Sequence, residues 1–172
     1  MVTIICGTNR RNSNSAIISK VYEDLLNKQN QKVQVLYLED LPENFAYNEI
    51  NDNKSREFEV IVNKYVAEAS RFIFVIPEYN GGFPGVLKSF IDSVPPKHFN
   101  FKKAALVGIS SGHAGALRPL DHFTNVLHYI KVEVMSNKPK LSSIEALLDD
   151  DKMNDAKALD RLNEQVTEFL KF

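Results

Sequence analysis

The stretch Gly7-Thr8-Asn9-Arg10-Arg11-Asn12-Ser13-Asn14-Ser15 crowds hydroxyl, amide and guanidinium groups between an apolar run and a segment of helical period. A helix start offers free N–H groups and the positive end of the helix dipole, so it favours an anion. Thr8, Ser13, Asn14 and Ser15 add neutral donors and Arg10 adds charge, and a phosphate group would satisfy all of them. Ordinary N-capping by Ser13 or Ser15 explains one or two of these residues but not the set. The stretch contains neither Gly-x-Gly-x-x-Gly nor Gly-x-x-x-x-Gly-Lys-Ser/Thr, so the dinucleotide fingerprint and the P-loop are both excluded.

Two further loops could meet a ligand. Pro77-Glu78-Tyr79-Asn80-Gly81-Gly82-Phe83-Pro84-Gly85 has adjacent glycines that let backbone approach a flat molecule, with Tyr79 and Phe83 available to pack near a ring. The same composition also describes a plain turn followed by a proline-started helix. Ser110-Ser111-Gly112-His113-Ala114-Gly115-Ala116-Leu117-Arg118 is rich in small residues, and Gly112, Gly115 and His113 are its candidate contacts. The histidines form no ligand spacing with carboxylates or with the lone cysteine, so no metal site is expected.

The elements that must position these loops alternate. Val2–Cys6, Val33–Leu38, Phe72–Ile76, Ala104–Ile109 and Val132–Met135 read as five strands. Phe72–Ile76 and Ala104–Ile109 are apolar on both parities and should be covered on both faces, whereas Val132–Met135 reads as an edge. Helical stripes follow: Ile17/Val21/Leu25 with Ile18 and Tyr22 beside them, Phe58 to Ala69, Val86 to Val94, Leu117/Leu120/Phe123/Leu127, and Leu159/Leu162/Val166/Phe169/Leu170. Five β-α repeats imply an α/β fold, a three-layer α/β/α sandwich around a five-stranded parallel sheet. Without a sixth strand the flavodoxin-like order 2-1-3-4-5 is favoured, and ligands then bind beyond the carboxyl ends of strands one, three and four. Those ends are where the three loops lie. Asp149–Asp151 reads as a solvated turn before the last helix.

Composition narrows the function class. The chain has 172 residues, 44% hydrophobic and 25% charged, which suits one globular domain. A net charge of -1 provides no field that would recruit nucleic acid or an anionic membrane. No apolar run is long enough to span a bilayer, and Val2–Cys6 reads as a strand rather than a signal peptide. Cys6, the single cysteine, excludes an intrachain disulfide, favours a cytoplasmic setting and reads as a buried small hydrophobe.

Taken together, the three loops resemble the NADPH-dependent FMN reductase family, which includes azoreductases, quinone reductases and chromate reductases. Gly7, Thr8, Arg10, Ser13 and Ser15 fall on its first motif, Gly-Ser-x-Arg-x-x-Ser-x-Asn, with Thr for Ser and Ser for Asn. Pro77, Glu78, Tyr79, Asn80, Pro84, Gly85, Leu87 and Lys88 match the second, Pro-Glu-Tyr-Asn-x-Ser-x-Pro-Gly-x-Leu-Lys, with Gly82 in place of the serine. Ser110, Gly112, Gly115 and Arg118 match the third, with Ala116 for its second glycine. The resemblance implies one flavodoxin-like FMN-binding domain over residues 1–172. Thr8, Arg10, Ser13, Asn14 and Ser15 would take the FMN phosphate. Pro77, Glu78, Tyr79, Asn80, Gly81, Gly82, Ser110, Gly112, His113 and Gly115 would line the ring, mostly through backbone groups. It further implies a homodimer or homotetramer, with Arg118 and the second-loop helix near the interface, and electron transfer from NADPH or NADH to a small acceptor: a flavin, a quinone, an azo compound or a metal oxyanion. No side chain is expected to be catalytic, because the chemistry is the flavin's. Backbone N–H groups around Asn80, Gly81, Gly112 and His113 are placed to stabilise charge on a reduced ring. A flavodoxin-like electron carrier without nicotinamide activity is the competing reading; the near-neutral charge and the absence of a Thr-rich phosphate loop argue against it.

Overall fold

The computed structural model describes residues 1–49 and 54–172. Its strands are β1 (Val2–Cys6), β2 (Val33–Tyr37), β3 (Arg71–Pro77), β4 (Lys103–Ile109), β5 (Glu133–Val134), β6 (Lys140–Leu141), β7 (Leu148–Asp149) and β8 (Lys152–Met153). Its helices are α1 (Asn14–Lys28), α2 (Phe45–Asn48), α3 (Arg56–Val62), α4 (Gly85–Ser93), α5 (Leu117–Tyr129) and α6 (Ala156–Lys171). Strands β1 to β5 form a parallel sheet in the flavodoxin-like order β2-β1-β3-β4-β5.

The strands follow the apolar runs because the sheet is buried on both faces. Alternate residues of β3 and β4 divide between two cores. Phe72, Phe74, Ile76, Ala104 and Leu106 meet Phe58, Phe90 and Phe123 on one side. Ile73, Val75, Ala105, Val107 and Ile109 meet Ile18, Tyr22, Leu162, Val166 and Phe169 on the other. Burying each such Val, Leu, Ile or Phe side chain stabilises the fold by about 1.5–3 kcal/mol. The α1 stripe is rotated from the expected one: Ile18, Tyr22, Leu25 and Leu26 are its buried apolar residues, and Ile17 and Val21 lie at its margin. Leu117 and Leu159, expected in helix stripes, are partly exposed at the first turns of α5 and α6.

The fifth strand position differs from expectation. Val132–Met135 pairs with β4 only through Glu133–Val134, opposite Lys103–Ala104. The chain then leaves the sheet and returns as β6 beside Gly108–Ile109. Between the two pieces the Leu106 carbonyl has no strand partner. Gln165 of α6, fully buried, supplies one: its Nε2 donates to Leu106 O at 2.9 Å and to Asn137 O at 2.8 Å. Its Oε1 accepts from the buried Tyr22 hydroxyl at 2.5 Å. A side chain thus fills the hydrogen-bonding gap in the edge, because a buried carbonyl left unpaired is costly.

Residues 63–67 continue α3 as a wider π-helical turn, and Lys102 Nζ caps its end by donating to Val66 O and Ala67 O. Asp149–Asp151 does form a turn, the reversal between the antiparallel β7 and β8, with Asp150 and Asp151 both at positive φ. Among the described residues no helix is long and apolar enough to cross a membrane.

Candidate functional site

Strand register brings the three loops together. Cys6 pairs with Val75, and Pro77 pairs with Ile109, so β1, β3 and β4 end side by side. Gly7 turns the chain out of the sheet against β3: its N–H donates to Val75 O at 2.9 Å, and a Cβ there would lie 2.7 Å from the same oxygen. Just before it, Cys6 is buried as a small hydrophobe, and that burial raises its thiol above the ordinary range, with partial compensation from Ser19.

A cavity of about 430 Å³ lies across the three loop starts, within the range of small-ligand sites. From the first loop Arg10, Ser13, Asn14 and Ser15 line it, together with Arg11 and Asn12. From the second come Pro77, Glu78, Tyr79 and Asn80, and from the third Ser110 and Ser111. The remaining expected residues stand off its wall. Thr8 is buried behind it, tying two loops together: its Oγ1 lies 2.6 Å from the Tyr79 hydroxyl and accepts from Arg10 N at 3.2 Å. Gly112 and His113 are exposed on the rim, and a Cβ on Gly112 would meet nothing within 4 Å. Gly115, at φ +60, is required by close packing on β6, since a Cβ there would lie 2.7 Å from Lys140 Cβ.

The second loop is a tight reversal. Tyr79 N–H donates to Gly82 O at 2.8 Å and Gly82 N–H to Tyr79 O at 3.0 Å, with Asn80 at φ 51 and Gly81 at φ 79 between them. Two positive φ values in sequence define the Asn-Gly hairpin geometry, a signal the dipeptide itself carries. Gly82 needs no special freedom: its φ is ordinary, and the nearest atom to a Cβ is Tyr79 O at 3.9 Å. The family serine would fit there. Phe83 does not face the cavity. It packs 5.0 Å from His122 and 5.1 Å from Phe123, held by the larger apolar contact with α5. Tyr79 is covered by the Arg10 guanidinium, 4.1 Å from its ring centre.

The donors at the first loop are unmet. Ser13 caps α1 through its Oγ, which accepts from Ala16 N at 3.2 Å. Among the described residues no acceptor meets the backbone N–H groups of Ser13, Asn14 and Ser15. Neither Arg10 nor Arg11 is within ion-pair distance of a described carboxylate. Three consecutive N–H groups, two unpaired guanidiniums and a helix dipole face one cavity, an arrangement suited to a dianionic phosphate. The backbone N–H groups of Asn80, Gly81, Gly112 and His113 likewise lack acceptors among the described residues.

One segment of the wall was not legible beforehand. Ile144 and Glu145, in the 3-10 turn Ile144–Leu147 after β6, complete the cavity. Ile144 N–H donates to Ser110 O at 3.1 Å and Ser111 Oγ to Glu145 Oε1 at 2.7 Å. No periodicity or motif marks these residues; only the return of the chain beside β4 brings them in.

Fold and site together define an α/β protein with a donor-lined cavity at the carboxyl end of a flavodoxin-like sheet. The NADPH-dependent FMN reductase family model matches residues 1–145, and the chain belongs to that family. It is similar to an NAD(P)H-dependent FMN reductase of Pseudomonas aeruginosa, 38% identical over 44% of this chain and 42% of that protein. It is also similar to a 2-hydroxy-1,4-benzoquinone reductase of a Burkholderia species, 30% identical over 55% of this chain and 54% of that one. These matches span about half the length of the relatives. Among solved structures, the flavoenzyme NAD(P)H:(acceptor) oxidoreductase FerB from Paracoccus denitrificans superposes with a TM-score of 0.82 and 25% identity, covering 99% of this chain and 94% of that chain.

Proposed function

We propose that residues 1–172 form a single FMN-binding domain, and that the chain is an NAD(P)H-dependent FMN oxidoreductase passing electrons to a small acceptor. The observation that carries this reading is the unmet donor set of Arg10, Arg11 and the Ser13–Ser15 N–H groups on one cavity. The donors fit a phosphate monoester. Bound FMN would supply hydride acceptance and onward electron delivery.

The chain's own residues bind and orient. Arg10 and the α1 N-terminus would hold the phosphate, with Thr8 fixing the first loop to Tyr79. The N–H groups of Asn80, Gly81, Gly112 and His113, unmet among the described residues, would favour negative charge on a ring held beside them. Gly112 leaves space for close approach. No acid or base side chain is required, so the acceptor is chosen by access rather than by a dedicated proton donor.

The names of the relatives support free flavin and quinones as the first acceptors to assay. The apolar groove between α4 and α5, with Ile91, Val94 and Val126 in its wall and Tyr129 89% exposed beside it, supports a homodimer or homotetramer in which Arg118 lies near the contact. The setting proposed is cytoplasmic. Steady-state NADPH and NADH oxidation by the FMN-loaded protein, with flavin, quinone, azo dye and metal oxyanion acceptors, tests the activity. Flavin binding without nicotinamide oxidation would instead favour the electron-carrier reading, and light scattering reads the oligomer.

A further inference from the structure

The cavity has two chemically different ends. At the first loop the unmet backbone N–H groups of Ser13, Asn14 and Ser15 and the Arg10 and Arg11 guanidiniums are all donors. At the wall formed by Ser110, Ser111 and Glu145 the hydroxyl protons are already committed to the protein. Ser110 Oγ donates to Gly112 O at 2.8 Å, and Ser111 Oγ donates to Glu145 Oε1 at 2.7 Å. A serine whose proton is engaged presents only lone pairs, and an ionised carboxylate only accepts. The second carboxylate oxygen of Glu145 has no partner among the described residues. This wall therefore takes ligand groups that donate and disfavours a phosphate, which fixes the direction in which a ligand lies.

The wall is also built rather than incidental. Ile144 is buried, its N–H is bonded to Ser110 O, and Ser143 N–H donates to Gly112 O at 3.3 Å. These contacts carry Glu145 to the cavity edge and hold it against Ser111.

We propose that Glu145, positioned by Ser111, is a specificity-determining residue that accepts hydrogen bonds from the hydroxyl groups of the ligand's sugar-alcohol chain. The inference rests on the FMN reading and deepens it, by assigning the polyol to a residue outside the three family loops. The phosphate goes to the donor end, the hydroxyl chain crosses to the acceptor wall, and the ring lies toward the glycine rim.

The test measures the binding of three flavins to the apo-protein by fluorescence: FMN, riboflavin, which lacks the phosphate, and lumiflavin, which lacks the polyol as well. Glu145→Ala should raise the Kd of FMN and riboflavin alike by about three- to tenfold, the effect of a solvent-accessible hydrogen bond to a charged group. Lumiflavin should change less than about twofold on the same basis. Ser111→Ala should give the same pattern with a smaller amplitude, and Glu145→Gln, which keeps an acceptor oxygen, should retain most of the affinity. Glu145 is exposed, so melting curves of the variants should match the parent. Unchanged FMN and riboflavin affinities in Glu145→Ala, or an equal loss for lumiflavin, would overturn the assignment. Failure of the unsubstituted chain to bind any of the three would refute the FMN reading itself, and this one with it. Equal binding of riboflavin and lumiflavin by the unsubstituted chain would refute only the polyol wall.

Discussion

Replacing Arg10 with alanine removes the charged side chain that the phosphate role most depends on. The guanidinium lies 4.1 Å from the Tyr79 ring centre and has no carboxylate partner among the described residues. A charge-assisted contact to phosphate is worth about 1.5–3 kcal/mol. If phosphate binding draws Arg10 off Tyr79, the stacking lost costs about 0.5–1 kcal/mol. The difference is about 1–2 kcal/mol, so Arg10→Ala should weaken FMN binding by roughly five- to thirtyfold. Riboflavin has no phosphate and should lose less than about threefold, through Tyr79 mobility alone. Arg10→Lys keeps the charge but loses the planar fork and the stacking, and should fall between the two. The contact is reached by solvent, so the FMN penalty should shrink as salt rises past about 0.1 M, where the screening length is near 10 Å. Flavin fluorescence titration at two salt concentrations measures all of this. Equal losses for FMN and riboflavin would refute the phosphate role.

Three other outcomes follow from the packing. Gly108→Ala would place a Cβ 2.7 Å from Gly115 O and 2.9 Å from Ala116 and Leu120 atoms, so it should cost about 1–3 kcal/mol and lower the melting temperature by several degrees; an unchanged transition would contradict the close packing of α5 on β4. Gln165→Leu strands the Tyr22 hydroxyl and the Leu106 carbonyl and should cost about 2–4 kcal/mol in denaturant unfolding, and adding Tyr22→Phe should cost less than the separate losses summed. Burial raises the Cys6 thiol and, further, the Tyr22 phenol. The unfolded chain therefore releases these protons first, and stability should be full below the ordinary thiol range and fall as pH rises above about 8.5 and again above about 10. Cys6→Ala should remove the first part of that decline, and stability that rises over this window would show the sign to be wrong.

The sequence carries the sheet well where both faces are buried, because β3 and β4 are short, apolar on both parities and rich in β-branched or aromatic residues. The first-loop residues were legible for a related reason: polar donors directly after a buried strand have few structural uses. The edge was not legible. Glu133–Val134 and Lys140–Leu141 are too short to show alternation, and their gap is closed by Gln165, a polar residue on the buried face of α6 whose partner Tyr22 lies 143 positions away. The second-loop composition suggests Phe83 as a ring neighbour, but its side chain goes to the aromatic cluster with Phe123. At Gly115 the need for glycine has a packing cause that the loop composition does not show, since a Cβ there would lie 2.7 Å from Lys140 Cβ. In each case a local pattern was decided by a contact distant in sequence.

Anaerobic titration of the FMN-loaded protein with NADPH, and separately with NADH, tests the proposed function most directly. The flavin should stay bound through gel filtration, its visible band should bleach with one equivalent of nicotinamide, and the band should return when a quinone is added. Protein that does not retain FMN, or retained flavin that stays oxidised with either nicotinamide, would contradict it.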